Sequence, residues 1–332
     1  MKYRAAIIGC GKIGSEFSDD PRIKDIYTHS GAYSSCPDTN LIAVCDSDLG
    51  KAQKCANRWG VPEVYSDFRT MLEESRPEII SVCTPDATHY QIIQEIMEYN
   101  CIRAIFAEKP LALNISEAKE LIHRAQEKKI IVSVNYFRRY APNHRELSLF
   151  LQDKTNIGEI QTVSGYYTKG ILHNGSHWLD LARFLIGEIN LVQGFPVTSI
   201  ITDDPTVSAY LLFNNGASGF LFGCDEKMFD IFEMDIIGTK GRIRILDSGH
   251  TIEKYHVEDD PNYSGYLALA IGLRNSGGLT DSLLHAVEDI VRCLKTGGEP
   301  ICSGLDGLEA LRIGQSIRES ALTGKKIVFH NE

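Results

Sequence analysis

Short apolar runs alternate with amphipathic stretches over the first third of this 332-residue chain. The runs have the length of buried strands, and the stretches between them carry apolar residues at helical spacing. The pattern predicts strands over 3–8, 40–45, 78–83, 103–107 and 130–135, and helices over 49–59, 68–74, 88–99 and 115–128. Helix starts are indicated by Asp86 or Thr88 and by Asn114 with Glu117 three residues later. Strand–helix alternation is typical of a parallel, doubly wound sheet.

After residue 137 the pattern becomes strand-rich. It predicts strands over 159–169, 191–202, 206–213, 217–224, 230–237, 241–247 and 251–257, and helices over 175–186, 281–295 and 305–322. Hairpin signals stand at 214–216 and 238–241. We predict two domains: an α/β doubly wound domain over 1–137, and an α+β domain over 138–332 with a large, mostly antiparallel, open-faced sheet. The second face of that sheet is expected to pack on a partner subunit or, alternatively, to be polar and solvated.

Composition narrows the classes of function. The chain is 43% hydrophobic, is 23% charged and has a net charge of −10, so a well-packed core is expected and a nucleic-acid or anionic-membrane partner is not. No run approaches the ~20 apolar residues of a membrane span. The nine cysteines are scattered and odd in number, which predicts reduced thiols and a cytoplasmic protein.

The segment from Gly9 to Gly14 reads Gly-x-Gly-x-x-Gly directly after the first predicted strand. In this pattern Gly9 permits a tight turn, Gly11 lets the backbone approach a pyrophosphate, and Gly14 lets the following helix lie close to the strand. The helix that we expect to begin here supplies free N–H donors to the anion. The alternative is a glycine-rich turn with no ligand.

Asp46 ends the second predicted strand, where a parallel neighbour of the first strand would present a carboxylate to an adenosine ribose. A carboxylate there pairs with both ribose hydroxyls and repels a 2′-phosphate, which favours NAD over NADP. The spacing from Gly14 to Asp46 exceeds the usual ~20 residues. We attribute the excess to an inserted polar loop over 18–25 that borders the cofactor cleft.

Ligands of open parallel sheets bind beyond the carboxyl ends of the strands. Three predicted strands end in Thr84-Pro85 (with His89 following), in Glu108-Lys109-Pro110, and in the segment 135–140. Pro110 biases Lys109 toward an extended backbone, so the amine is expected to point into the crevice and to act on a substrate hydroxyl. The alternative is a solvated lysine on a loop.

Together these motifs and the closing segments 306–310 and 320–325 resemble the glucose-fructose oxidoreductase, inositol dehydrogenase and rhizopine-catabolism (Gfo/Idh/MocA) family over essentially the whole chain. The resemblance implies a Rossmann domain, an open-faced sheet domain, a nicotinamide cofactor, a sugar or polyol carbinol substrate, and a homodimer or homotetramer assembled through the sheet. The implied cofactor-binding residues are Gly9, Gly11, Lys12, Ile13, Gly14, Asp46, Thr84, Pro85, His89, Glu108 and Lys109.

The family's second signature is an aspartate followed four residues later by a histidine. The matching positions here hold His173 and His177, so the histidine is retained and the aspartate is replaced. An imidazole donates to anionic or carbonyl oxygens, and we therefore expect the substrate to present a carboxylate or phosphate to residue 173. Two alternatives are a metal site with four-residue spacing and a core histidine satisfied by Asp180. No metal is predicted.

The predicted reaction is reversible hydride transfer, in which His177 accepts the hydroxyl proton and Lys109 positions the oxygen over one nicotinamide ring. The predicted substrate-binding residues are Lys109, Tyr136, Arg139, Tyr166, Lys169, His173, Asn174 and His177. Two alternatives remain open. One is redox-neutral use of NAD, as in glycoside cleavage through a keto sugar, and the other is a non-enzymatic NAD- or sugar-sensing regulator.

Overall fold

The computed structural model of the protein describes residues 2–196 and 204–329. Contacts divide the chain into two compact units. The first unit holds the residues up to Tyr140 together with Thr280–Leu308, and the second holds Ala141–Leu279 and the residues from Glu309 onward. The predicted division after residue 137 lies three residues before the end of the first of these segments.

The elements are numbered along the chain. The strands are β1 Tyr3–Ile8, β2 Thr39–Cys45, β3 Glu63–Tyr65, β4 Ile79–Val82, β5 Ala104–Ala107, β6 Ile131–Val134, β7 Ile160–Tyr167, β8 Ile189–Pro196, β9 Val207–Phe213, β10 Ser218–Gly223, β11 Phe232–Gly238, β12 Gly241–Leu246, β13 Thr251–Asp259, β14 Leu267–Asn275 and β15 Ile327–Val328. The helices are α1 His29–Ser35, α2 Leu49–Trp59, α3 Phe68–Ser75, α4 His89–Ile96, α5 Ile115–Lys128, α6 Pro142–Gln152, α7 Gly175–Ile186, α8 Ser282–Thr296 and α9 Gly304–Thr323.

The first unit contains a parallel sheet with the strand order β3-β2-β1-β4-β5-β6. Every residue of β4 and β5 is buried, as expected for parallel strands covered on both faces. The order reverses between β1 and β4, which opens a crevice at the carboxyl ends of these strands. The predicted doubly wound sheet is confirmed, and β3 is an edge strand that the sequence pattern did not indicate.

Side-chain caps fix several helix starts in this unit. The Asn114 side chain accepts the N–H of Glu117 at 2.9 Å, as predicted. The Asp48 and Asp67 side chains cap α2 and α3 in the same way. Helix α4 begins at His89, directly after the predicted Thr88, but the Thr88 hydroxyl donates to the Pro85 carbonyl and no side chain caps the helix.

The second unit contains a nine-stranded sheet with the order β14-β13-β12-β11-β7-β10-β9-β8-β15, in which the described pairings are antiparallel except that of β7 with β10. The predicted hairpins at 214–216 and 238–241 join β9 to β10 and β11 to β12. Of the predicted strand over 191–202, residues 197–202 lie outside the described residues. The mostly antiparallel, open-faced sheet is confirmed.

Helix α7 packs on one face of this sheet. The Trp178 indole donates to the Glu233 carbonyl at 2.9 Å, and a Cβ on Gly165 of β7 would lie 2.2 Å from that indole nitrogen. The opposite face carries the aromatic side chains Tyr166, Phe220 and Phe222, each at least 40% exposed. Helix α6 and strand β14 were not predicted, and β14 is exposed along most of its length.

Within residues 2–196 and 204–329, none of the helices combines the length and the apolar character that crossing a bilayer requires.

Candidate functional site in the Rossmann sheet

The glycine turn after β1 has the shape of a phosphate cradle. Gly9 has a φ of 96°, and a Cβ there would lie 2.5 Å from the Cys83 carbonyl oxygen. A Cβ on Gly14 would lie 2.2 Å from the Gly9 carbonyl oxygen. At Gly11 a Cβ would meet nothing within 4 Å. Packing therefore requires glycine at 9 and 14, whereas the space at 11 is open for a ligand to reach the backbone.

The backbone N–H groups at this turn are available as donors. In the described part of the chain, no group accepts a hydrogen bond from the N–H of residues 11–14. Lys12 is exposed and Ile13 is half-buried. Clustered free amides at the start of a helical turn favour an anion such as a diphosphate. The residues present thus fit the dinucleotide that the motif predicts.

The helix after the turn is interrupted. One turn follows the glycines, with Ser15 N–H bonded to the Gly11 carbonyl, a short 3-10 helix spans Glu16–Asp19, and α1 begins at His29. The carbonyls of Ile13 and Gly14 accept the N–H groups of residues 29 and 30. The helix expected after the glycine turn is therefore interrupted by a segment that contains the predicted inserted loop over 18–25, and it resumes in the same hydrogen-bond register.

Asp46 lies directly beyond β2, beside the glycine turn. Its Oδ2 accepts the Cys10 N–H at 2.8 Å and its Oδ1 accepts the Asp48 N–H at 2.9 Å. The two amides fix the half-buried carboxylate next to the phosphate cradle, and each oxygen retains a lone pair for a further donor. This is the position in which a Rossmann carboxylate meets an adenosine ribose.

The Glu108 carboxylate at the end of β5 is held by hydrogen bonds to two side chains. Its Oε1 lies 2.9 Å from His29 Nε2 and accepts the Asn135 amide at 2.6 Å. Burial opposes ionisation, but these hydrogen bonds and the Lys109 charge outweigh it, so the pKa of Glu108 is lowered. The side chain of Glu108 is only 13% exposed. Its contacts with His29 and Asn135 therefore anchor the backbone that carries Lys109 at the carboxyl edge of the sheet.

His89 joins the loops after β4 and β5. Its ring is buried, with Nδ1 2.7 Å from the Pro110 carbonyl and Nε2 2.8 Å from the Thr84 carbonyl. The Lys109–Pro110 peptide is cis. Both carbonyls belong to residues that follow the carboxyl ends of β4 and β5, where the cofactor is predicted to bind, so His89 helps to hold these two loops in place. Its role as a direct cofactor ligand stays a prediction.

Two predicted substrate residues of the first unit are buried. Tyr136 is 1% exposed. The Arg139 guanidinium lies 2.9 Å from the Asp306 carboxylate and 3.3 Å from the Ile301 carbonyl. These contacts join the segment after β6 to the first turn of α9 and to the residues just before it, and the ligand roles of Tyr136 and Arg139 stay predictions.

His177 occupies the first turn of α7 in the second unit, where it is half-buried. It follows a π-helical turn over Gly170–Asn174 that contains His173, which is exposed, and Asn174, which is half-buried. Lys169 pairs with Asp230 at 2.6 Å. Tyr166 stacks on Phe222 at 5.6 Å between ring centroids, on the face of the sheet opposite α7.

Asp204 is an acidic residue beside His173 that the sequence pattern did not indicate. Its carboxylate accepts the backbone N–H groups of Leu172 and His173, each at 2.8 Å. Burial raises the pKa of Asp204, and these amides together with the His173 charge partly offset the rise. A carboxylate therefore lies next to residue 173 although the motif position itself holds histidine.

The structure adds His29, Asn135 and Asp204 to the residues that sequence reasoning selected. His29 and Glu108 are 79 positions apart, and His173 and Asp204 are 31 apart. No local motif marks such pairs. All nine cysteines are free thiols, and the described residues hold no group of three or more metal-ligating side chains. The cytoplasmic location stays a prediction.

Comparison with known proteins supports the whole-chain resemblance. Residues 3–136 match the family described as "Oxidoreductase family, NAD-binding Rossmann fold", and residues 167–329 match its C-terminal alpha/beta domain. The chain is 23% identical to the myo-inositol 2-dehydrogenase of Thermotoga maritima, over 96% of both chains. It is 24% identical to the scyllo-inositol 2-dehydrogenase (NAD(+)) of Bacillus subtilis, over 98% of this chain and 96% of that one.

A solved structure of levoglucosan dehydrogenase in complex with NADH and L-sorbose shares the fold, with a TM-score of 0.83, 19% identity and 99% coverage of both chains. The glycine cradle, the carboxylate after β2 and the Glu-Lys-Pro element at the end of β5 thus occur in a chain whose two halves both match one family. The protein belongs to the Gfo/Idh/MocA family of NAD-binding oxidoreductases.

Proposed function

We propose that this protein transfers a hydride between NAD and a carbinol carbon of a sugar, a cyclitol or a nucleotide-sugar derivative. The observation that carries the proposal is in the first unit: free amide donors at residues 11–14 and the anchored Glu108-Lys109 pair share the carboxyl edge of one sheet. The inositol dehydrogenases among the relatives support the substrate class.

The roles of the chain's own residues follow from their chemistry. Residues 11–14 bind the diphosphate, and Asp46 binds the adenosine ribose. In the oxidative direction Lys109 donates a hydrogen bond to the substrate hydroxyl, and the role we propose for His177 is that of the base that accepts a proton. The nicotinamide, when bound, supplies the hydride acceptor.

The preference for NAD over NADP rests on Asp46. Its two oxygens are fixed by the Cys10 and Asp48 amides, so the carboxylate cannot easily turn away from a ribose. A 2′-phosphate would bring a second anion against this carboxylate.

His173 bears on the choice of substrate. The imidazole of His173 is exposed and, unlike the aspartate of the family motif, can donate a hydrogen bond to an anionic oxygen. A protonated imidazole pairs with an anion better than with a neutral hydroxyl. We therefore propose that the substrate carries a carboxylate or phosphate, as sugar acids and nucleotide sugars do.

The open face of the nine-stranded sheet supports assembly of copies of this chain. Tyr166, Phe222 and Phe220 stack in a row, with centroid distances of 5.6 and 6.0 Å. Leu269 and Ile271 of β14 are also exposed. An apolar patch on a sheet face is typical of an interface, and we propose a homodimer or homotetramer formed through it.

The test is reduction of NAD by the purified protein across a panel of neutral sugars, cyclitols, sugar acids and nucleotide sugars. Lys109→Ala and His177→Ala should each lose most of the turnover, and His177→Ala should bind NADH as the wild type does. Lys119→Ala, which changes an exposed lysine on α5, should retain activity. His173→Asp should shift the preference toward neutral polyols. Conversion of a glycoside without NADH accumulation, or full activity of Lys109→Ala, would overturn the proposal.

A further inference from the structure

The segment that interrupts the first helix is a built part of the first unit. In an uninterrupted α-helix the Ile13 carbonyl would accept the N–H of residue 17. It accepts the N–H of His29 instead, and the Gly14 carbonyl accepts the N–H of Ser30. The chain therefore contains an insertion of twelve residues that leaves the hydrogen-bond register of the helix unchanged. The Thr28 hydroxyl accepts the Gly31 N–H and caps the resumed helix.

The segment is anchored at both of its ends. Near its start, the Asp19 carboxylate accepts from Lys54 at 2.6 Å and from Arg58 at 2.5 Å, both on α2. Near its end, the Ile26 N–H donates to the Asp281 carboxylate at 2.8 Å. It therefore runs from α2, on the Asp46 side of the sheet, toward the segment that precedes α8.

This path brings Tyr27 to the carboxyl ends of β5 and β6. Its ring lies between two others, with centroids 5.6 Å from Phe17 and 6.0 Å from Phe137, both edge-on. Phe137 follows Asn135 and Tyr136 directly after β6. Edge-to-face contacts on two sides restrict the ring to one orientation, so the position of the hydroxyl is set by the fold.

The Tyr27 hydroxyl has the surroundings of a ligand-binding group. Among residues 2–196 and 204–329, none forms a hydrogen bond with this hydroxyl. Burial raises its pKa, the Arg138 guanidinium opposes the rise and the Glu108 carboxylate adds to it, so both charges act at the hydroxyl. The side chain is half-buried. A fixed tyrosine with a free, partly accessible hydroxyl is suited to one specific polar partner.

The strand order identifies that partner. In a sheet of this strand order a bound dinucleotide would lie across the switch point, with its adenosine half at β1–β3 and its other half at β4–β6. Glu108 and Phe137 belong to the second half. Building on the proposed function, we propose that Tyr27 is a cofactor-binding residue, supplied by the inserted segment, whose hydroxyl hydrogen-bonds a polar group of the nicotinamide riboside.

Binding constants of Tyr27→Phe test this directly, because the variant keeps the ring and its packing and loses only the hydroxyl. Calorimetric titrations would use NADH, ADP-ribose, which lacks the nicotinamide, and ADP, which lacks the nicotinamide riboside. Loss of one neutral hydrogen bond should weaken binding about three- to tenfold. The matched control is Tyr263→Phe, at a 67% exposed tyrosine of the second unit, which should leave all three constants unchanged.

Weaker binding of NADH alone supports a contact with the carboxamide. Weaker binding of NADH and ADP-ribose, with ADP unchanged, supports a contact with the ribose hydroxyls. Unchanged constants for all three ligands, or an equal loss that includes ADP, would overturn the assignment of Tyr27 and leave the proposed function intact. A wild-type protein that fails to bind NADH would overturn both.

Discussion

Replacing His29 by alanine should destabilise the first unit through the Glu108 carboxylate. The buried imidazole lies 2.9 Å from Glu108 Oε1 on one side and 2.8 Å from Ser81 Oγ on the other. Without the imidazole, the Glu108 carboxylate keeps the hydrogen bond from the Asn135 amide. The substitution also leaves a cavity of roughly the size of the lost ring beside Phe106, whose centroid is 4.4 Å from that of His29.

The size of the effect follows from these contacts. Loss of a hydrogen bond to a buried charged group costs about 1.5–3 kcal/mol, and an unfilled cavity adds roughly 1 kcal/mol. We expect the free energy of unfolding to fall by about 3 kcal/mol. At ~2–4 °C per kcal/mol for a unit of this size, the melting temperature of the first unit should fall by about 6–12 °C.

Matched variants separate the hydrogen bond from the cavity. His29→Gln places an amide N–H near the position of Nε2 and should recover at least half of the lost stability. His29→Asn is too short to reach Glu108 and should melt close to the alanine variant. Scanning calorimetry of the three variants at neutral pH gives the comparison, with the transition of the second unit as an internal reference.

The loss should also depend on pH. The folded-state pKa of Glu108 lies below its ordinary value of 4.5, so its contribution to stability is present above that value and is lost as the pH falls through the lowered pKa. The difference between wild type and His29→Ala should therefore shrink as the pH falls below 4.5. A glutamine variant no better than alanine, or a difference that is the same in acid and at neutral pH, would refute the reasoning.

Three further predictions concern the cofactor site and the open sheet. Gly11→Ala should keep the free energy of unfolding within about 0.5 kcal/mol of wild type but weaken NADH binding at least tenfold in titrations, because its methyl group enters the open space proposed for the phosphates. Gly14→Ala should instead lose about 1–3 kcal/mol of stability in denaturant unfolding, because its Cβ meets the Gly9 carbonyl. Asp46→Asn should raise the affinity for NADPH relative to NADH about tenfold, since one charge opposing the 2′-phosphate is removed; an unchanged ratio in paired titrations would contradict the assignment. Phe222→Lys should lower the mass measured by light scattering to that of a smaller assembly, and an unaltered mass would count against the open face as the interface.

Local pattern was sufficient for much of the fold. The apolar runs predicted β1, β2, β4, β5 and β6 to within one or two residues, and Asn114 predicted the start of α5. These signals depend only on neighbouring residues, because strand and helix periods and caps are properties of a few consecutive positions. β14 was missed although Leu267, Leu269, Ile271 and Leu273 alternate with small residues there, and most of the strand is exposed.

The candidate site also has a part that the sequence predicted and a part that it did not. The glycine turn, Asp46 and the Glu108-Lys109 pair were visible as motifs, since each requires particular residue types at short spacing. What the carboxylate of Glu108 touches was not visible. The sequence suggested a cofactor contact, and the structure shows His29 and Asn135 on that oxygen, whose positions along the chain bear no fixed relation to it.

The inserted segment was predicted from the sequence only in part. The long spacing between Gly14 and Asp46 predicted an inserted loop, but not that it interrupts a helix whose hydrogen bonds continue from Gly14 to Ser30. Nor did it predict that Tyr27 meets Phe137, because that contact exists only once β1 and β6 lie in one sheet. The sequence by itself determined most of the elements and the motif chemistry, through short-range backbone geometry. Only the folded chain decided which distant side chains surround each motif, because packing brings them together without regard to their separation in sequence.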